Sequence, residues 1–554
     1  MVIKTKIKAL WGTIMKTEYN FDRGELKYRW LLLVIFGLVV LATSWNSDDA
    51  FHAYVMARNL VEGNGFVYNV GYRVTATTCP LFTLIVALGY ALFGHMSFVG
   101  IGFGVLFSTM AAYIIIFKLC PKMINAVLAV GIMLGSYCFM CYTTAGLENS
   151  LLFFLGALFL NYFFSHAEFT HKGLVYLAFL LSLVAMTRMD AVLIFIPAIC
   201  IGYIFKTKVK WSVRFLCGLL GLLPFIAWEI FSVIYYGYPF PNTMYIKLNT
   251  GLEKADYIVK GFDFIYQSGM MDILLVMIPF FFIVLSIIKK NRDAILFSVG
   301  IVIYDIYVIS IGGDFMLGRH LTVQFFLALI GLIYLGNQYE FMHEFKKCKV
   351  NLTQFLMTVC VIGLVFGSCV RPIAKEYLYD STWDDTGTSV SDEKYHYYHY
   401  TGLIPYTYNL IANQKNMHIE MAWPEIEAID SFRAAGDIGN YSWGVSGMTA
   451  YYEMDKGTMY LTDRYGLMDP LLSHLPAIKH ENWRVGHMVR LEPDGYPESI
   501  ASGKNLIENE SLHEFYDKVL LIITGDIWDS ERLQTVWSMN TGQYDYLIEQ
   551  YIGD

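Results

Sequence analysis

Eleven apolar runs of membrane-spanning length fill the first two thirds of this chain. They lie near 30–45, 98–118, 122–141, 148–165, 172–187, 190–206, 212–236, 270–288, 293–312, 319–336 and 351–371. A helix needs about 20 apolar residues to cross about 30 Å of hydrocarbon. Inside that layer no water satisfies the backbone, so the runs must be helices. The whole sequence is 56% hydrophobic and 16% charged, with a mean hydropathy of +0.44, which excludes an ordinary soluble protein. A twelfth run, Leu81–Phe93, starts after Pro80 and ends at Gly94. It is too short to span, and is expected to lie at the interface or re-enter.

Basic residues set the direction of threading. With eleven spans and a cytoplasmic N-terminus, one face collects Lys4 to Arg29, Lys118 and Lys122, His166–Lys172, Lys206, Lys208 and Lys210, Lys289, Lys290 and Arg292, and Lys346, Lys347 and Lys349. That is the positive-inside pattern. Counting Leu81–Phe93 as a span would move every later cluster to the outside. Ala42-x-Ser44 resembles a signal cleavage site, but the segment before the first run is long for a signal peptide and many spans follow, so the first run is expected to be a membrane helix.

Charge divides the chain in two. Residues 372–554 hold 12 basic and 29 acidic residues, leaving 28 basic and 19 acidic in residues 1–371. The expected organisation is a transmembrane module, 1–371, and a soluble extracytoplasmic domain, 372–554. All nine cysteines lie in the first part, so the outer domain needs a real core rather than disulfides. Cys138 and Cys141 sit in an apolar run without a second pair, which reads as structural. The apolar run Lys518–Thr524 reads as a buried strand, so the outer domain is expected to be mixed α/β.

This topology gathers five unusual polar segments on the outer face. They are Asp48-Asp49 with the loop to Pro80, Thr143–Glu148, Thr187–Asp190, Pro239–Thr243 and Gly312–His320. Polar residues at helix ends are common, and Arg188 with Asp190 is equally readable as a structural pair. Five such segments on one face instead suggest a substrate site, because buried ionisable groups are costly. Gly312-Gly313-Asp314-Phe315 matches a cyclase signature only in part and stands between two spans, so that match is rejected. The chain has no Walker phosphate loop, no dinucleotide glycine fingerprint and no H-E-x-x-H. A cytosolic nucleotide-sugar enzyme and an ATP-driven pump are therefore poorly supported, and no feature suggests nucleic-acid binding.

The ordered segments resemble a known family. An acidic pair after the first span, followed by a long loop with an interfacial helix, resembles the GT-C fold of lipid-phosphosugar glycosyltransferases. The finer likeness is to the mycobacterial terminal β-(1→2)-arabinofuranosyltransferase family. It rests on Asp48-Asp49-Ala50-Phe51, Ala57-Arg58-Asn59-Leu60, Gly63-x-Gly65-Phe66-Val67-Tyr68-Asn69, Arg73-Val74 and Thr78-x-Pro80-Leu81. It continues through Gly146-Leu147-Glu148, Thr187-Arg188-x-Asp190, Pro239-x-Pro241-Asn242-Thr243-x-Tyr245-x-Lys247 and Gly312–Arg319. In the outer domain it includes Asp392-Glu393, Tyr397-Tyr398, Thr401-Gly402-Leu403, Asp463-x-x-Gly466-Leu467-x-Asp469-Pro470-Leu471-Leu472 and Trp483-Arg484-x-Gly486-His487. Thr75 departs from the family's Glu, and Phe82 from its Trp.

The resemblance implies transfer of a sugar, such as arabinofuranose, from a polyprenyl-phosphate donor to a cell-envelope glycan or glycolipid. The setting would be the outer face of a bacterial plasma membrane. Asp48 or Asp49 would be the catalytic carboxylate, acting as general base on the acceptor hydroxyl. One Asp would alternatively orient the other or bind a divalent cation, the one cofactor the pair suggests. Successive side chains on a helix diverge by about 100°, so different roles are expected. Arg319 is the leading phosphate ligand, with His320, Arg188 and Lys247 as further candidates. Asp314, Glu148, Asn242 and Arg58 are candidates for orienting these groups or binding the sugar. Tyr397, Tyr398, Trp483, Arg484 and His487 are acceptor-side candidates, and Tyr395 and Trp443 are further aromatics with core packing as the plainer reading. Rival readings are a mannosyl- or other aldosyltransferase on the same scaffold, a lipid or polysaccharide transporter, and a glycan-binding receptor module. A transporter is expected to show internal repeats and ionisable groups at the membrane midplane, which this sequence lacks.

Overall fold

A computed structural model describes residues 19, 21–248, 250–339, 341–342, 349–379, 390–411, 439–443, 447–453, 459–478 and 483–553. The first part is helical: α1 (Arg23–Ala42), α2 (Asp48–Val61), α3 (Pro80–Phe93), α4 (Met96–Ile114), α5 (Met123–Gly135), α6 (Tyr137–Tyr142), α7 (Asn149–Ser165) and α8 (His171–Thr187). It continues with α9 (Val192–Phe205), α10 (Trp211–Tyr236), α11 (Asn242–Leu248), α12 (Lys254–Met271), α13 (Leu274–Ile288), α14 (Arg292–Ser310), α15 (Arg319–Gln338) and α16 (Leu352–Tyr379). A two-stranded antiparallel pair, β1 (Phe341–Met342) and β2 (Lys349–Val350), stands between α15 and α16. Lys346 and Lys347 lie outside the described residues.

Each of the eleven apolar runs carries a helix. Four described segments, 96–119, 211–236, 292–310 and 319–338, are long and apolar enough to cross a membrane by themselves. Helices α12 and α13 pass that test together but bend by 105° at their junction. The cause is Asp272, which is buried at the bend. Its carboxylate accepts from the Ser136 hydroxyl (2.6 Å), the Cys138 N–H (3.0 Å) and the Leu274 N–H (3.2 Å). The same contacts break the run at 122–141 between α5 and α6, so one carboxylate satisfies the backbone at two helix ends. Leu81–Phe93 falls within the 14-residue helix α3, ended by Gly94 in a left-handed conformation.

Helix α15 is the core of the bundle: its residues from His320 to Ile333 are all buried. Phe139 stacks on Phe326 at 5.7 Å between ring centres and meets Phe153 at 4.8 Å. By contrast α10 shows Phe215, Leu216, Leu219, Leu220, Leu223 and Ile230 outward, as a lipid-facing helix does. Small residues allow close backbone approach. At Gly300 of α14 an added Cβ would lie 2.0 Å from the Ile194 carbonyl of α9. Arg29 is fully buried on α1. Its guanidinium donates to the carbonyls of Ile116, Cys120 (2.8 Å) and Pro121 (2.9 Å), closing the wide turn Ile115–Leu119 that ends α4.

The later residues form α17 (Glu393–Thr401), α18 (Leu403–Ile411), β3 (Gly439–Trp443), α19 (Gly447–Glu453), β4 (Met459–Asp463), α20 (Tyr496–Ser502), α21 (Glu510–Thr524), α22 (Ser530–Asn540) and α23 (Asp545–Gly553). Strands β3 and β4 pair in parallel. The strand expected at Lys518–Thr524 is instead the end of α21. Leu512, Phe515, Tyr516, Val519, Ile522 and Ile523 are its buried residues. Their spacing is helical, visible only in a window longer than the seven-residue run. Helix α16 continues to Tyr379, past the boundary expected at 371.

The outer part does not stand apart. Val74 and Tyr238, from loops of the helical module, lie in its core with Leu471, Tyr496 and Phe515. Asn69 bonds both ways with the backbone of Leu461, at 3.0 and 3.1 Å. Buried Arg532 donates to the carbonyls of Ile234 (2.9 Å) and Tyr235 (3.0 Å), capping α10 from α22. Replacing Gly300 tests the bundle contact. Gly300→Leu is expected to lower the unfolding midpoint in detergent by an overpacking cost of about 1–3 kcal/mol or more; an unchanged midpoint would mean that α9 and α14 are not in close contact.

Candidate active site

Helix α2, the ends of several helices of the first part and segments of residues 390–490 enclose a cavity of about 980 Å³. Its wall includes Asp49, Glu148, Arg188, Lys247, Arg319 and Glu393. All five outer segments singled out in the sequence contribute to it.

Asp48 and Asp49 open α2, where carboxylates complement the positive end of a helix. They diverge as neighbours on a helix must. Asp48 is 7% exposed, and its carboxylate accepts from the N–H groups of Met448 (2.7 Å) and Gly447 (3.3 Å) at the start of α19. Burial pushes its proton affinity up; His52 and these N–H groups counter that. Gly447 is required there, since a Cβ would lie 2.2 Å from the Asp48 carbonyl. Asp49 turns to the cavity and accepts from Arg319 Nη1 at 3.1 Å. Asp48 thus holds the start of α19, while Asp49 pairs with Arg319, and both border the cavity.

Arg319 stands at the first position of α15 and is held on both sides. Its Nη2 reaches the two Glu148 oxygens at 3.1 and 3.3 Å. Glu148 is 1% exposed and also accepts from Arg188 at 3.1 Å. Arg188 grips Asp190 with two bonds of 2.8 and 3.2 Å. It also donates to the His320 ring, which meets Tyr304 (3.0 Å) and Asp314 (3.4 Å). Asp49, Arg319, Glu148, Arg188 and Asp190 therefore form one chain of charge-assisted bonds, centred on buried Glu148 and partly exposed at Asp49. Each charge is compensated, which is what makes its burial tolerable.

The Gly312–Gly318 loop brings in Asp314. Gly312 and Gly313 have φ of +83° and +77°, and a Cβ on Gly313 would lie 2.5 Å from Phe264. Only glycine makes this turn without strain. Burial opposes ionisation of Asp314, but His320, Arg319 and Lys247 together hold its carboxyl well below the usual range. Lys247 is near Asp314 and Asp190 but has no ion-pair contact among the described residues; burial lowers its proton affinity. The loop backbone pairs with the outer domain, Leu317 N–H to Ser391 carbonyl at 2.9 Å and Ser391 N–H to Phe315 carbonyl at 2.6 Å. That pairing sets Asp392 as the cap of α17 and places Glu393 in the cavity wall.

Of the acceptor-side candidates, Tyr397 and His487 line the cavity. His487 packs edge-on to Phe315, with ring centres 4.3 Å apart. Other candidates lie outside this wall. Asn242 is buried outside the wall, its side chain donating to the Asp469 carbonyl at 3.0 Å. Arg58 lies over the Tyr451 ring at 4.9 Å and bonds its carbonyl. Tyr398 reaches the Ala42 carbonyl at 3.4 Å. Trp483 packs against Tyr257 at 5.1 Å, and Arg484 is likewise absent from the wall. Tyr395 is exposed, and the Trp443 side chain lies outside the described residues. Asn242, Tyr398 and Arg484 each sit beside a wall residue in sequence, but their side chains are not in the wall. Among the described residues no three His, Cys, Asp or Glu side chains are grouped as metal ligands, and Asp48 and Asp49 point apart, so the donor set does not fit a resident cation.

No protein-family model matches the chain. It is similar to the terminal beta-(1->2)-arabinofuranosyltransferase of Mycobacterium tuberculosis, with 24% identity over 534 residues that cover 83% of each protein. The chain resembles that protein over most of its length, as the ordered motifs suggest. Among solved structures, ArnT from Cupriavidus metallidurans bound to undecaprenyl phosphate aligns over 65% of this chain and 75% of that one, at 12% identity and a TM-score of 0.39, too loose a likeness to bear on function.

Glu393 was not singled out by sequence reasoning, though it stands in the Asp392-Glu393 motif; its signal was that Asp392 is a capping residue and Glu393 therefore begins a helix aimed inward. The shared carboxylate gives a test that needs no activity. Glu148→Gln leaves Arg319 and Arg188 with no common anion, and removing one partner of a buried pair costs about 3–5 kcal/mol. A large fall in the unfolding midpoint is expected, and an unchanged one would place the two arginines in water.

Proposed function

We propose that this protein is a membrane glycosyltransferase of the outer face. It would move a sugar, a pentofuranose such as arabinofuranose, from a polyprenyl-phosphate donor to a cell-envelope glycan. The observation that carries the reading is the pairing of Asp49 with Arg319 on the wall of a cavity large enough for a lipid-borne sugar. The likeness to an arabinofuranosyltransferase supports the reaction class and the sugar. The arrangement of eleven spans, a cytoplasmic N-terminus and an outer residue 372–554 domain is part of the same proposal, supported by the placement of basic clusters.

The chemistry assigns roles by geometry. Asp49 takes the proton of the acceptor hydroxyl as that oxygen bonds to the anomeric carbon. The bond from that carbon to the donor phosphate oxygen breaks, and lipid phosphate leaves with the electron pair. Arg319 fixes the orientation of Asp49. Lys247, whose ammonium has no ion-pair contact among the described residues, is the cation best placed to receive phosphate charge. Arg188 adds to the positive side of the wall. Thr75, where the resembled family carries Glu, is also in the wall and belongs to the specificity surface.

Sugar transfer by the purified protein in detergent, with polyprenyl-phosphate arabinofuranose and a short arabinan, tests the assignment. Asp49→Asn is expected to lower kcat by about 100- to 10,000-fold, the usual contribution of a general base. Asp48→Asn is expected to act mainly on the unfolding midpoint, because its anchor to α19 weakens. Lys247→Met is expected to raise KM for the lipid donor. Equal transfer by Asp49→Asn and wild type would remove this carboxylate from the chemistry, and transfer of mannose instead would keep the site and change the sugar.

A further inference from the structure

Glu393 is an acid in the cavity wall that has no ion pair among the described residues. It enters from the outer domain at the start of α17, is 3% exposed, and its Oε1 is buried with no hydrogen-bond partner. No ion pair to it occurs among the described residues. Glu229 of α10, also in the wall, likewise has an Oε1 without a partner, whereas Asp49 is matched by Arg319, Glu148 by two arginines, Asp190 by Arg188, Asp314 by His320 and Arg319, and Asp48 by backbone N–H groups. An unmatched buried polar atom costs about 1–3 kcal/mol. It is expected where a ligand completes the bonding.

The surroundings say what kind of ligand. Helix α2 presents Asp48 and Asp49, the 312–318 loop presents Asp314, and α17 itself carries Asp392. Arg319 of α15 is committed to Asp49 and Glu148, and burial lowers the proton affinity of His487 in the 483–490 segment. Anions on this side of the cavity would repel a phosphate. An uncharged polyol is compatible. A carboxyl group in such a place, buried and beside other carboxylates, holds its proton well above the usual range. In that form it is a hydrogen-bond donor as well as an acceptor.

We propose that Glu393 is a substrate-contacting residue of the transfer site, donating a hydrogen bond from its carboxyl O–H to a hydroxyl of the sugar held against Asp49. The assignment rests on the transferase reading above. It divides the cavity by chemistry: lipid phosphate on the Lys247 and Arg188 side, sugar hydroxyls on the Glu393 side. It also gives the outer domain a direct part in choosing the sugar, because α17 delivers the group.

The test has two readings on full-length protein in detergent. In infrared difference spectra across a pH titration, the wild type is expected to show a carboxylic C=O band that persists above the pH at which ordinary carboxyls ionise, and Glu393→Gln is expected to lack it. In the transfer assay with polyprenyl-phosphate arabinofuranose, wild-type activity is expected to fall on the alkaline side as Glu393 ionises. Glu393→Gln, which keeps a neutral donor, is expected to retain a reduced activity without that alkaline fall. Glu393→Ala is expected to lose about tenfold in kcat/KM, the worth of one hydrogen bond to the sugar. No transfer by the wild type with any lipid-phosphate sugar overturns the transferase reading and this assignment with it. With wild-type transfer intact, the assignment alone is overturned by a missing band, by full activity of Glu393→Ala, or by Glu393→Gln as inactive as Glu393→Ala.

Discussion

The ion pair between Arg319 and Glu148 is the fixed point of this structure. Glu148 is buried at the start of α7 and Arg319 largely so at the start of α15, and the buried carboxylate would not be tolerated there alone. Once paired, they organise everything around them. Glu148 draws in Arg188, Arg188 draws in Asp190 and His320, and the remaining Arg319 nitrogen turns Asp49 toward the cavity. A site built on the N-terminal ends of rigid helices holds its geometry better than one built on loops. The central helix that carries Arg319 is buried almost along its whole length, so the cation cannot drift.

The C-terminal part of the chain contributes directly to this site. Its backbone pairs with the Gly312–Gly318 loop, its α19 holds Asp48, and its α17 contributes Glu393. The loops of the helical module in turn supply Val74 and Tyr238 to the outer core. Two parts with opposite charge balance are therefore one folding problem. Losing either side removes wall residues from the other.

Much of this was legible in the sequence, and the reasons are physical. Carboxylates and arginines at the ends of apolar runs are costly, so their presence at Asp49, Glu148, Arg188 and Arg319 marked a site before any geometry was known. What was not legible depended on side-chain direction. Asn242 and Arg58 share segments with wall residues but face outward from the cavity. Glu393 reads as one acid in an acidic domain until the Ser391 pairing aims it inward. The strand expected at Lys518–Thr524 failed because a short apolar run fits either period, and the helical spacing emerges only with Leu512, Phe515 and Tyr516 included.

In the proposed reaction a lipid phosphate and a reacting sugar share one cavity, with the phosphate held by the cations and Asp49 beside the acceptor hydroxyl. A structure determined with a non-transferable polyprenyl-phosphate sugar bound tests this most directly. The phosphate is expected against Lys247 and Arg188, with Asp49 open to the acceptor side and still bonded to Arg319. A phosphate seated outside this cavity, or a sugar with Asp49 turned away from it, would contradict the account.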